Sequence, residues 1–263
     1  MNRFVPLEGI LLVDKPAGIT SHDVVDAVRR RFRIRRVGHG GTLDPAATGL
    51  LVILVGGATR KAEFLLGADK TYRAVLRLGE TTDTLDREGR LIERRPVGEI
   101  SREQIQAACS RFVGEITQEI PAYSASRIGG QRSYDLARKG LPVPKRFRRV
   151  RILSLEVEGI RLPDVDLKVV CSKGTYVRAL CADIGRELGC GGHLRALSRT
   201  GVGPFTIEQA VSLDGVSAER LIPLSQMPVG KKSGCPRPSG VRVCRGSPAD
   251  QRAEGVAASG FPS

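Results

Sequence analysis

Six consecutive apolar residues, 50–55, lie directly behind a glycine-hinged segment, Gly38-His39-Gly40-Gly41-Thr42-Leu43-Asp44-Pro45-Ala46-Ala47-Thr48-Gly49. An uninterrupted apolar run has no polar face to turn to water, so residues 50–55 read as a fully buried strand. The run is far too short to span a bilayer. The glycines ahead of it allow tight turns and a close approach to a ligand, and Pro45 holds Asp44 in an extended conformation. One reading of Asp44 is a plain Asp-Pro turn in which the carboxylate bonds neighbouring amides. The other is a loop-mounted active-site carboxylate at the mouth of a buried strand. The pattern alone leaves both open.

The remaining elements are read around that strand. Residues 10–13 form a short buried strand. Ser21 reads as the N-cap of a helix to about residue 32, with Val24, Val25, Val28 and Phe32 as its apolar stripe. A helix is expected over roughly 59–66. Residues 71–78 alternate, with Tyr72, Ala74, Leu76 and Leu78 on one face. Ser101 and Gln104 make a capping box for a helix to about residue 112. Strands are expected near 114–119, 151–158 and 165–171. Thr175 reads as the cap of a last helix, with the stripe Val177, Leu180, Cys181, Ile184 and Leu188. Strands and helices mix without strict alternation. This favours an α+β domain, a mixed, largely antiparallel sheet flanked by helices. The domain is assigned to residues 1–224. From residue 225 the chain is rich in Gly, Pro, Ser and Ala and lacks periodic apolar residues, so 225–263 reads as a disordered tail.

Charge narrows the partners. Lys and Arg total 42 against 28 Asp and Glu, a formal net charge of +14. Such an excess attracts polyanions, RNA and DNA first among them. A membrane surface is the rival reading, but the stripe beside the Arg29–Arg36 run looks like an ordinary core-facing one. A generally Arg-rich proteome is the bland alternative. The apolar stretch 9–13 ends at Asp14-Lys15-Pro16 and is too short for a secretory signal, so a cytoplasmic location is expected. Six cysteines (109, 171, 181, 190, 235 and 244) form no CxxC pair and read as buried free thiols. Cys190 and His193 make a lone CxxH with no second ligand pair at finger-like spacing. Nucleotide-loop and serine-nucleophile motifs are absent from the sequence. The available chemistry therefore rests on carboxylate, tyrosine and arginine.

Two further segments stand out. In Ser172-Lys173-Gly174-Thr175-Tyr176-Val177-Arg178, Arg178 falls in the first turn of a helix, where a cation faces the positive end of the dipole at a cost of about 0.3–1 kcal/mol. A carboxylate would offset it, and Asp44 is a candidate; a solvated surface arginine is the alternative. In Lys70-Thr71-Tyr72-Arg73, Tyr72 is either a core residue or a platform for a nucleobase. Lys70, Arg73 and Arg77 around it would suit a phosphate track.

Taken in order, these motifs resemble those of the TruB family, the tRNA pseudouridine-55 synthases. The resemblance rests on residues 9–16 and 38–49, on Asp69-Lys70-Thr71-Tyr72, and on Thr81-Thr82-Asp83-Thr84-Leu85-Asp86. Pro121-Ala122-Tyr123-Ser124-Ala125, Gly174-Thr175-Tyr176-Val177-Arg178 and residues 192–200 continue it. It covers roughly residues 8–224 and implies the pseudouridine synthase fold. It also implies site roles. Asp44 would be the nucleophile that attacks the target uridine, whose base is detached, turned and rejoined through carbon 5. Tyr72 would stack on the flipped base and take part in proton transfer. Arg178 would pair with Asp44 and orient it. Tyr176 and Leu197 would line the base pocket, and His39 would wedge into the T-loop of the tRNA. Ser126-Arg127 stands where a Leu-Lys-like pair is usual, which keeps the charge. Residues 225–263 do not look like the small RNA-binding PUA domain that bacterial members usually carry.

The implied chemistry is self-consistent. A carboxylate is anionic at neutral pH and attacks without a base. The product is an isomer of the substrate, so neither metal nor organic cofactor is expected. A base inside folded RNA has to be flipped out, at a cost of a few kcal/mol. The expected partner is the T-stem-loop of tRNA, with no membrane and no required protein partner, and the chain is expected to be a monomer. Three alternatives are a relative guided by a separate RNA, a non-catalytic RNA-binding or RNA-folding protein on this scaffold, and a basic α+β domain of another role.

Overall fold

The computed structural model describes residues 7–124 and 126–226. The first part of the chain runs β1 (Gly9–Lys15), α1 (Ser21–Phe32), β2 (Val37–His39), β3 (Thr48–Val55), α2 (Ala62–Gly67), β4 (Lys70–Leu78), β5 (Glu80–Thr82), β6 (Leu91–Arg94), α3 (Arg102–Ser110) and β7 (Gly114–Glu119). It continues with β8 (Arg127–Ile128), β9 (Gln131–Arg132), α4 (Ser133–Arg138), β10 (Phe147–Arg161), β11 (Asp164–Cys171), α5 (Val177–Glu187), β12 (Gly192–Val202), β13 (Phe205–Thr206) and β14 (Val211–Ser212). One sheet runs β14-β1-β3-β12-β4-β11-β10-β7, with β13 beside β12 and β2 beside β3. Among the described residues, the β1–β14 and β3–β12 strand pairs are parallel and the other strand pairs antiparallel. The expected mixed, largely antiparallel α+β architecture is present.

The apolar run of β3 is buried on both faces, as its composition demands. Leu51, Ile53 and Val55 pack with Leu11 and Val13 beneath Val24, Val25 and Val28 of α1. Leu50, Val52 and Leu54 pack the other way, with Leu12, Ala58, Leu65 and Phe205. One edge of β3 is taken along its length by β1. The other edge is shared: β12 pairs at Thr48 and Gly49, and β2 pairs from Ile53 to Val55. The chain between β2 and β3 must leave the sheet in the gap between those two neighbours. That gap is where Asp44 emerges.

A second core lies under α3 and α5, where Ile105, Leu180, Cys181 and Ile184 are fully covered against β4, β10 and β11. Each such aliphatic side chain contributes about 1.5–3 kcal/mol of burial. With no Trp and seven Phe in the chain, this core is mostly aliphatic, with Tyr72 and Phe112 its aromatic members.

Several boundaries differ from the sequence reading. Thr20, not Ser21, caps α1, in a reciprocal box with Asp23. Ser21 is thereby free to bond elsewhere. The expected helix over 59–66 splits into a 3-10 turn, Gly56–Lys61, and α2. Tyr176, not Thr175, precedes α5, and the Thr175 hydroxyl donates back to the Ser172 carbonyl. β10 is longer than 151–158. The eleven-residue β12 was not expected at all. Irregularities at 194–196 and 199–201 break its alternation, which hides the strand period. The expected tail, past Gln226, lies outside the described residues. Among the described residues, no helix is long and apolar enough to cross a membrane.

Gly49 joins β3 to β12. Its φ is +98°, and a Cβ there would lie 2.8 Å from the Arg199 backbone nitrogen and closer still to its carbonyl. A side chain would both strain the backbone and push β12 away. Gly49→Ala is therefore expected to lower unfolding stability by about 2–4 kcal/mol, read as a drop in urea midpoint. An unchanged midpoint would mean that the β3–β12 contact does not constrain the fold.

Candidate active site

The loop between β2 and β3 is held at nearly every residue. Gly40 donates to the Val52 carbonyl at 2.8 Å. The Arg199 guanidinium donates to the carbonyls of Gly41 (3.1 Å) and Thr42 (3.3 Å). Leu43 is pinned on both sides of its peptide by the Ser21 hydroxyl, which accepts from its N–H at 2.9 Å and donates to its carbonyl at 3.2 Å. The Pro45 carbonyl accepts from Gly18 N–H and from Lys15 Nζ. Leu43 and Ala47 are buried in the α5-side core. Asp44 sits between these anchors with its side chain half exposed. The turn reading is partly right, since Ala47 N–H donates to the Asp44 carbonyl. The carboxylate itself is left for another partner.

That partner is Arg178. Its side chain is only 7% exposed, and Nε lies 3.7 Å from Asp44 Oδ2. The same guanidinium donates to the Tyr123 carbonyl at 2.7 Å and the Thr84 carbonyl at 3.3 Å. Asp86 Oδ2 lies 3.8 Å from its Nη1. Arg178 is the second residue of α5, so its charge opposes the helix dipole, and two carboxylates and two carbonyls offset that cost. Its Nε is buried without a hydrogen-bond partner. It faces Asp44 across a gap slightly too long for a hydrogen bond, a looseness common in unliganded sites. Leu85, at φ +64°, turns the backbone so that Thr84 and Asp86 address one cation. Asp86 escaped the residue-level reading; its motif was noted only for the resemblance.

Asp44 and Arg178 open onto a cavity of about 690 Å³ also lined by Tyr72, Tyr176, Leu197 and Arg199. Tyr72 on β4 faces Arg199 on β12 in the strand register, and Ala74 faces Leu197. These side chains therefore share one face of the sheet. Burial raises the Tyr72 phenol pKa, with nearby Arg199 opposing the rise. The phenol is thus protonated at neutral pH. The Tyr176 ring lies beside the Arg178 guanidinium, 5.8 Å away. Its backbone is clamped by the buried Gln118 amide, which accepts from Tyr176 N–H at 3.0 Å and donates to its carbonyl at 3.2 Å. Gln118, on β7, carries no motif signal and was missed.

Other expected positions lie elsewhere. His39 is half buried at the end of β2, outside the cavity lining, and its Nδ1 accepts from Gly41 N–H at 3.3 Å. Burial lowers its pKa, so it is neutral near pH 7. Of the three basic residues suggested as a phosphate track on β4, Lys70 alone lines the cavity. Lys70 is buried and donates to the carbonyls of Leu65, Leu66 and Ala68, closing the end of α2. Arg77 pairs with Asp164 at 2.9 Å and Arg73 with Glu158 at 3.3 Å, outside the cavity lining. The cavity rim instead carries Arg148, Arg149 and Lys173. Cys190 and His193 bond separate carbonyls, those of Gly191 and Glu80. Cys109, Cys171, Cys181 and Cys190 are buried free thiols, as expected.

Comparison with known proteins shows the family. Residues 29–177 match the family described as TruB family pseudouridylate synthase (N terminal domain), and residues 178–222 match the tRNA pseudouridylate synthase B C-terminal domain. The tRNA pseudouridine synthase B of Thermobifida fusca (strain YX) is 48% identical over 228 residues, covering 83% of this chain and 78% of that one. The protein of the same name from Burkholderia lata is 50% identical over 211 residues, covering 80% and 65%. Among solved structures, the Cbf5 chain of a Cbf5-Nop10-Gar1 complex superposes with a TM-score of 0.62 at 32% identity, over 78% of this chain and 52% of that one. A structure of an H/ACA RNP bound to a substrate RNA containing 2'-deoxyuridine gives 0.60 at 31% identity, over 78% and 51%. The chain thus spans about half the length of these two solved chains.

Burial pushes the Lys70 ammonium down from 10.5 to about 8. Between those values the unfolded lysine holds a proton that the folded one has released. The cost of burying the charge is full below pH 8 and fades as pH rises toward 10.5. The buried thiols Cys109 and Cys171, pushed up to about 11, act in the opposite sense above pH 9. A Lys70→Met comparison cancels them. The stability of the native protein relative to Lys70→Met is expected to rise from pH 7.5 to 9.5, followed by urea titration; a constant difference would place the Lys70 pKa outside that window.

Proposed function

The chain belongs to the TruB family of pseudouridylate synthases, enzymes that isomerise uridine to pseudouridine, and from that premise we propose that its substrate is tRNA and its target the uridine at position 55 of the T-loop. One juxtaposition carries the reading: Asp44 Oδ2 sits 3.7 Å from a buried Arg178, in a cavity that Tyr72, Tyr176 and Leu197 also line.

Asp44 is the nucleophile. Its carboxylate attacks the uridine, the bond between N1 of uracil and C1′ of ribose breaks, and the base turns within the cavity. The bond to the carboxylate then breaks as one from C5 to C1′ forms, C5 loses its proton and N1 gains one. Substrate and product have the same atoms and oxidation state. Arg178 orients the carboxylate and keeps it charged as RNA displaces water from the cavity. Tyr72 stacks on the everted base, which offsets part of the flipping cost. Its neutral phenol is available to hold or pass a proton. Tyr176 and Leu197 confine the base during its turn. His39, neutral and beside the loop, fills space vacated in the T-loop. The rim cations Arg148, Arg149 and Lys173 face the RNA backbone. Residues 1–224 act as one catalytic domain, and the chain works as a cytoplasmic monomer without a guide RNA or protein partner.

Purified protein is expected to form pseudouridine in an unmodified T-stem-loop, with no guide RNA or second protein added. Asp44→Asn should lower turnover by at least about a thousandfold while the fold and RNA affinity are kept. Near-normal turnover by this variant, measured by mass spectrometry of the product RNA, would remove Asp44 as the nucleophile. Binding to the stem-loop should weaken steeply with salt, by about 0.7–0.9 in log K per log salt for each phosphate contacted. A flat response would sink the proposed backbone contacts.

A further inference from the structure

Arg199 is the largest fully buried side chain among the described residues, with 2% of its surface exposed. The chemistry proposed above gives it no role. No carboxylate lies within ion-pair distance of it among the described residues. Three carbonyls compensate the charge instead. Nε donates to Leu50 at 2.8 Å, Nη1 to Thr42 at 3.3 Å and Nη2 to Gly41 at 3.1 Å. These carbonyls are not scattered. Gly41 and Thr42 precede Asp44 in the chain, and Leu50 follows it. One guanidinium therefore closes both ends of the loop that carries the carboxylate.

The backbone of Arg199 is placed as tightly. It pairs with Gly49 of β3 on one side and with Tyr72 of β4 on the other. Only a residue without Cβ fits at position 49 against it. Arg199 is thus the point where the strand leaving the Asp44 loop meets the strand bearing Tyr72. Its guanidinium also lines the cavity and lies near the Tyr72 phenol. An unpaired buried cation is expensive, and an apolar side chain of similar volume would be as stable or more so in a purely architectural role.

We propose that Arg199 is a positioning residue for the isomerisation, buckling both ends of the Asp44 loop to the strand that carries Tyr72, so that nucleophile and stacking ring keep one relation while the base turns. The inference rests on the roles given above to Asp44 and Tyr72. Arginine suits the task because its planar fork reaches several acceptors in fixed directions, whereas a lysine presents one flexible head.

The test uses Arg199→Lys and Arg199→Gln in the full chain, on the T-stem-loop. Lysine keeps the charge but cannot span the three carbonyls. Glutamine removes the buried charge and is expected to fold with a melting temperature near the native one. Both should lower the single-turnover rate per folded molecule by about a hundredfold, the scale of a displacement of about 1 Å at a reacting centre. RNA affinity should be unchanged. Hydrogen exchange of the amides of residues 41–47 should quicken in both. A rate close to native in either folded variant, or a loss confined to RNA affinity, overturns the proposal. Failure of both to fold assigns Arg199 to folding alone and overturns it too. Should the native protein itself leave the stem-loop unmodified, the fault lies with the proposed substrate and chemistry rather than with Arg199.

Discussion

A guanidinium taken out of water must be surrounded by acceptors, and two buried arginines organise this molecule around that requirement. Arg178 gathers the Asp44 and Asp86 carboxylates with the carbonyls of Thr84 and Tyr123. Arg199 gathers the carbonyls of Gly41, Thr42 and Leu50. The acceptors come from segments far apart in the chain, and apart from Leu50 on β3 none of them lies in a helix or strand. The two cations add to the other bonds that hold the Asp44 loop and the turn at Thr84–Asp86, among them those of Ser21 to Leu43 and of Thr82 to Asp86. A planar donor set with five N–H groups can do this where a single apolar contact cannot, because each hydrogen bond fixes a direction as well as a distance.

The sheet supplies what the cations need. β3 is buried on both faces, and its second edge is divided between β2 and β12. The division forces the intervening loop out at a defined place. Strand register then sets Tyr72 and Arg199 side by side, and Leu197 beside Ala74. α5 enters from the other side and delivers Arg178 in its first turn, against its own dipole. That local cost is tolerable only because carboxylates wait there. The cavity is thus a product of three frames, a strand edge, a strand register and a helix start. Lys15, Lys70, Arg178 and Arg199 make its buried surroundings strongly cationic, which suits a polyanionic substrate.

Much of this was legible in the chain. The apolar run at 50–55, the stripe of α1 and the capping box at Ser101 and Gln104 were all read correctly, because burial and capping impose local periods and local partners. The α+β class followed from their order. β12 was not legible. Two irregularities break its alternation, and its pairing with β3 and β4 is entirely non-local. The three basic residues grouped on β4 have separate surroundings for a related reason. Lys70, Arg73 and Arg77 are neighbours in sequence, yet one caps α2 and the other two meet carboxylates on β10 and β11.

The sequence by itself determined which residue types were available for chemistry and where the chain had to be buried, turned or capped, since those preferences act within a few residues. It also determined the family, through motifs in a fixed order. Tertiary structure alone decided who meets whom: that Arg178 faces Asp44 and Asp86 together, that Gln118 holds Tyr176, and that Arg199 ties the Asp44 loop to the strand bearing Tyr72. Such contacts join positions up to about 160 residues apart, and no local propensity encodes a distance of that kind.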